Sequence, residues 1–198
     1  MKWLALFLLF ALPADNNFKI VYQVEAKSRL FLNGSTSVNT FQCYCNDNFP
    51  VSTLSGTVNE TTKSILFNNA KLLVKTTLMN CKNKLMNRDM HKALKADDFP
   101  YTTVLLTEAT PLHNSTQLSL NTWYNYKATT YLTIAGITKQ VIIPVQINKL
   151  SPHLFRFIAS KELLMSDFNV KPRTPLNMIR IDDMITINFD MTVIINEN

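Results

Sequence analysis

Apolar and polar residues alternate along residues 131–147 with the period of two that a half-buried strand imposes. Leu132 and Ile134 flank Thr133; Val141, Ile143, Val145 and Ile147 then alternate with Gln140, Pro144 and Gln146, and only Ile142 breaks the pattern. Gly136 stands between the two runs, where a tight turn needs a residue that tolerates positive φ, so the stretch predicts an antiparallel hairpin. Pro144 lacks the N–H that a ladder needs and marks a bulge or an edge. The last run is cleaner still: Ile185, Ile187, Phe189, Met191, Val193 and Ile195 alternate with Thr186, Asn188, Asp190 and Thr192.

Residues 18–25, 28–32, 38–45, 71–78, 102–107, 117–126 and 154–161 read as further strands, with Asn33-Gly34 as a turn or bulge after the second. Residues 46–69, rich in Asn, Thr and Ser, suggest short strands joined by turns. The period changes once. Met86, Met90, Ala93 and Leu94 fall on one helical stripe, Asn87 offers a cap with Asp89 in the first turn, and Pro100 enforces a stop, which predicts a single helix. A one-striped helix among strands fits a plug over a barrel end, and equally a helix packed outside a sheet. Roughly eight antiparallel strands with little helix mean a β-barrel or a sandwich. Closed into a barrel, eight strands leave an interior that side chains just fill or that holds one ligand.

The first 14 residues, MKWLALFLLFALPA, carry Lys2, an apolar run and small Ala14. The run falls short of the about 20 residues that a bilayer requires and reads as a secretory signal peptide cleaved near Ala14. One domain over residues 15–198 and a secreted or periplasmic location follow. Cleavage would remove Lys2 and no acid, lowering the formal charge from +6 by one. The remaining cations are scattered apart from a group at Lys82, Lys84, Arg88, Lys92 and Lys95, which lacks the interleaved aromatic residues of a nucleic-acid surface. Nucleic acid is not an expected partner; contact with an anionic membrane surface and a homodimer stay open.

In an oxidising compartment the three cysteines, Cys43, Cys45 and Cys81, predict a disulfide. Cys43 and Cys45 are two apart on an expected strand with parallel Cβ vectors, poor geometry for bonding each other. The pairing is therefore one of them with Cys81; a Cys43–Cys81 bridge would close a loop worth about 4 kcal/mol in the chain-entropy model. No histidine stands near these cysteines in sequence, so metal binding is not expected.

Catalytic parts are scarce. His91, His113 and His153 lie far apart without metal-ligand spacing, and His91, one position off the apolar stripe, reads as solvated. The chain has no G-x-S-x-G elbow, no P-loop and only three glycines. Asp97-Asp98 reads as a helix end and Asp182-Asp183 as a turn; Ser166 has no partnered histidine. No catalytic residue, metal or cofactor is assigned. What the sequence offers is an inward parity: Leu132, Ile134, Ile143, Val145, Phe155, Phe157, Ile185, Ile187, Phe189 and Met191. Periodicity leaves open whether these residues line a pore or fill a core.

Three ordered blocks, NRDMHKALKADDFPYTTV, YLTIAGITKQVIIPV, and SKELLMSDFNV with IRIDDMITINFDMTVI, resemble the YceI family of secreted polyisoprenoid-binding proteins, and SRLFLNGSTSVNTF resembles its opening strand. The resemblance implies an eight-stranded antiparallel lipocalin-like barrel with one short helix near an end and a long apolar pore. It also implies a long-chain lipid or isoprenoid as ligand, carried without being transformed. The ten inward residues then become pore lining. Met86 and Met90 become an adaptable gate, and Arg88, Asp89 and Trp123 candidates for the head group. Asn169 stands where the family's Asp-Phe-Gly turn has glycine, a position Asn tolerates. The cysteines depart from the family pattern and suggest a subgroup. The alternative is a cell-envelope interaction protein whose barrel its own side chains fill.

Overall fold

The computed structural model describes residues 16–112, 117–172 and 179–196. The leader-like segment 1–14 and His113 lie outside them. The described elements are β1 (Asn17–Val24), β2 (Arg29–Thr36), β3 (Thr40–Cys45), β4 (Ser52–Val58), β5 (Ile65–Lys75), β6 (Met79–Asn80), α1 (Lys84–Ala93), β7 (Tyr101–Pro111), β8 (Trp123–Ile134), β9 (Ile137–Ser151), β10 (Leu154–Leu164) and β11 (Ile181–Asn196).

Eight strands close an antiparallel barrel in the order β1-β4-β5-β7-β8-β9-β10-β11, with β11 returning to β1. The 16-residue β11 is long enough to serve two partners in succession. Val193 to Asn196 pair with β1, and Asp190 back to Ile181 pair with β2. β2 therefore continues the wall that β1 begins, and β3 and β6 extend it as a flap at one end of the barrel. Closure leaves β1 and β11 with no free barrel edge to template association.

The hairpin forms as its alternation predicts. Tyr126, Ala128, Thr130, Leu132 and Ile134 are buried on β8 while their neighbours face outward, and Ile142, the residue that broke the pattern on β9, is exposed. The turn has two residues, Ala135 (φ 48°) and Gly136 (φ 82°), between the paired Ile134 and Ile137. Pro144 marks an edge: the β9–β10 ladder ends at Val145 opposite Ala159, and residues 160–164 pair with β11 alone.

Four local expectations change. The helix begins one turn early, because Asn83, not Asn87, caps it, accepting from the Leu85 and Met86 amides. Asn87 instead accepts from the Cys81 amide at 2.7 Å and donates to Asn80, fixing the chain entering α1. Asn33-Gly34 lies within β2 and not at a turn, with Gly34 opposite Ile185 where the β2–β11 ladder shifts register, the irregularity that the bulge alternative expected; a Cβ at Gly34 would meet the Phe41 ring at 2.4 Å, so the glycine makes room for an aromatic across the ladder. The β2–β3 turn falls on residues 37–39. The strand expected from residue 117 starts at Trp123, and Asp182-Asp183 lie in β11 beside a ladder irregularity, where each carboxylate accepts from a serine.

Candidate functional site

The half of the barrel under α1 encloses a cavity of about 440 Å³, within the roughly 300–1,000 Å³ typical of small-molecule sites. Its wall is apolar because the inward parities of several strands converge there. β8 contributes Leu132 and Ile134, β9 Val141 and Ile143, β10 Leu163, and β11 Ile185, Ile187 and Phe189. β2 and β3 add Leu30, Leu32 and Phe41, and Met86 and Met90 of α1 with its C-cap Leu94 close the end. Phe168 is 2 % exposed at the base of the 3-10 turn Met165–Phe168. Asn169 ends that turn in the left-handed region (φ 51°), the conformation expected where the family has glycine.

Six of the ten inward residues lie on the cavity wall: Leu132, Ile134, Ile143, Ile185, Ile187 and Phe189. The other four, Val145, Phe155, Phe157 and Met191, share their parity but not their depth. Val145 and Met191 pack against the two buried core clusters, and Phe155 carries the Lys149 ammonium 5.9 Å from its ring centre. Phe157 stands opposite Met191 in the β10–β11 ladder. Along their strands these residues lie beyond the lining positions, away from the β8–β9 turn. The interior is thus part cavity and part core, a division that strand periodicity does not encode.

The mouth residues divide in the same way. Met86, Asp89 and Met90 line the cavity. Arg88 does not; its guanidinium lies against Asp89 at 3.2 Å, largely in solvent. Trp123 opens the 12-residue β8, about 36 Å of strand from Ile134 at its other end, and so sits at the far end. Three residues of the mouth went unrecognised in the sequence. Val38 in the β2–β3 turn and Leu85 on α1 are exposed apolar rim residues, and Lys161 projects into the lining from β10. Only Lys161 carried a readable signal, since it shares the parity of Phe155 and Phe157.

The lid is tethered covalently. Cys43, 1 % exposed on β3, is bonded to Cys81, three residues before α1, and the Cys81 sulfur touches the Met90 sulfur at 3.8 Å. Cys45 is a free thiol whose pKa burial raises. His91, expected in solvent, turns back to the Met79 carbonyl at 3.3 Å and pins the helix to β6.

The Ser166 hydroxyl donates to Asp183, which also accepts from the Ser166 amide at 2.8 Å, so the pair braces a turn. Among the described residues no cluster of three metal-ligating side chains occurs. A three-residue charge cluster lies on the outer face. Arg156 and Arg29 both hold Asp190, at 2.9 and 2.8 Å, and the bond from Arg156 above all keeps its carboxyl below the usual range.

Solved structures share this architecture. A polyisoprenoid binding domain from Saccharophagus degradans aligns over 88% of this chain and 98% of its own, with TM-score 0.65 and 13% identity. BcnA of Burkholderia cenocepacia aligns over 86% and 99%, with TM-score 0.66 and 17% identity. The YCEI protein of Campylobacter jejuni aligns over 82% and 88%, with TM-score 0.57 and 17% identity. Comparison with curated proteins finds no match. At such identities the structures speak to the fold alone, but the model of the YceI-like domain matches residues 29–193. The chain belongs to the YceI-like domain family.

Proposed function

We propose that this protein is a binding protein, not an enzyme, that carries one long apolar molecule, an isoprenoid or fatty-acyl chain, in the α1-capped half of its barrel. The observation that carries the reading is the apolar cavity of about 440 Å³ inside a closed barrel. Each methylene moved from water into such a wall contributes about 0.8 kcal/mol. A dozen buried carbons thus contribute about 10 kcal/mol, which lies within the association cost of roughly 4–15 kcal/mol, and a longer chain exceeds it without polar contacts. The solved relative described as a polyisoprenoid binding domain supports the same ligand class. The leader-like residues 1–14 support a secreted or periplasmic site of action, where a long-chain lipid needs shelter from water.

Mass spectrometry of an organic extract of the natively produced protein tests this. A long-chain species near one per protein is the expected result. An extract that stays clean after incubation with a lipid mixture would overturn the carrier reading in favour of the cell-envelope interaction protein.

A further inference from the structure

One residue of the cavity wall does not belong to an apolar container. Lys161 lies opposite Ile187 in the β10–β11 ladder, and both face the cavity. An inward lysine costs desolvation unless its ammonium is paired or reaches water, and an aliphatic residue would complete the wall without that cost. Among the described residues Lys161 has no hydrogen-bond or ion-pair partner. The other charge in the lining, Asp89, is held by Arg88. Glu162 points to the opposite face of β10, although it lines the outer groove that Lys161 also reaches, and Lys139 and Asp167 bind each other at 2.6 Å across that groove. The cavity wall therefore carries one positive charge that no ion pair among the described residues holds.

Its position has a physical logic. Lys161 lies just beyond the point where the β9–β10 ladder ends, and it lines both the cavity and the outer groove. Its methylene stem continues the apolar wall while the ammonium stays hydrated through the split when no ligand is bound. A ligand with a neutral end gains nothing from that charge. One ending in an oxyanion gains a charge-assisted hydrogen bond in surroundings less polar than water.

We propose that Lys161 is the head-group contact of this cavity and selects ligands whose long apolar chain ends in an oxyanion, a carboxylate or a monophosphate. The proposal rests on the carrier reading and narrows it. The test compares displacement of a fluorescent lipid probe by hexadecanoic acid and its methyl ester, and by farnesyl phosphate and farnesol. Wild type, Lys161→Met and Lys161→Arg are measured, each with its thermal midpoint. Wild type should favour each anion over its neutral partner. Lys161→Met should weaken the preferred anion by about ten- to a hundredfold while leaving its neutral partner unchanged, and Lys161→Arg should keep the preference. Which anion shows the larger effect separates carboxylate from phosphate. An unchanged anion preference in Lys161→Met, or equal loss of anion and neutral partner, overturns the assignment while leaving the carrier reading standing. Failure of wild type to bind any of the four overturns both.

Discussion

The ring of Phe99 lies over Gly136 so closely that a Cβ at position 136 would meet it at 2.5 Å. Phe99 belongs to the arm that follows α1, and Gly136 to the tip of the β8–β9 hairpin, so this contact latches the helical cap onto the barrel. Gly136→Ala faces two penalties, a side chain at positive φ and a clash with an aromatic ring. A loss of about 2–4 kcal/mol is expected in denaturant unfolding. Phe99→Ala in the same chain should recover the part due to the clash; strictly additive losses would show that the ring does not press on the turn.

The disulfide acts on the same cap from its other side. Cys43→Ser or Cys81→Ser should cost about 4 kcal/mol, whereas Cys45→Ser, which breaks no bond, should be near neutral. Because Cys81 leads directly into α1, loss of the bond should also raise hydrogen exchange at the α1 amides. Protection of α1 unchanged by reduction would mean that Asn83, Asn87 and His91 suffice to hold the helix.

The architecture was legible because strand alternation survives closure: each inward parity, from Leu132 to Phe189, points to one interior. What alternation does not contain is depth along the strand. Phe157 and Phe189 share a parity, yet Phe189 meets the cavity and Phe157 stands opposite Met191 outside it, because α1 caps only one end. Turn residues misled in one place: Asn33-Gly34 carries a hairpin signal, but that glycine answers a ring across the ladder, a contact no local pattern records. The helix start shifted because two asparagines four residues apart, Asn83 and Asn87, both fit a cap, and the choice rests on tertiary bonds to Asn80 and Cys81. Lys161 was hidden for the opposite reason, since attention to apolar residues passes over a charged one in the same register.

Asp190 clips β11 to both neighbours, to β10 through Arg156 and to β2 through Arg29. Its folded pKa lies below the unfolded value because Arg156, then Arg29, hydrogen-bond to the ionised carboxylate. The stabilisation is therefore present above the unfolded value of about 3.9 and is lost as pH falls through the lower folded one. Asp190→Asn should be less stable than wild type by about 1–2 kcal/mol at pH 6, the exposed guanidinium groups keeping the figure low. The two proteins should converge once the pH has fallen below that lowered folded value. A difference that persists undiminished in acid would show that the substitution acts by something other than charge.

The division of the interior into cavity and core gives the sharpest contrast between single substitutions. Phe189→Asp places a carboxylate in the apolar wall, where an approaching lipid chain would have to desolvate it. The folded variant should lose long-chain lipid from its organic extract, and its thermal transition reports whether folding survives. Phe157→Ala removes an inward ring outside the cavity lining, so it should cost stability, about 2–4 kcal/mol, while the folded fraction keeps its lipid. Chevron kinetics or denaturant midpoints measure the first effect and mass spectrometry the second. If Phe157→Ala empties the barrel and folded Phe189→Asp does not, the ligand lies in the half remote from α1. The cap, its disulfide and Lys161 would then have no part in holding it.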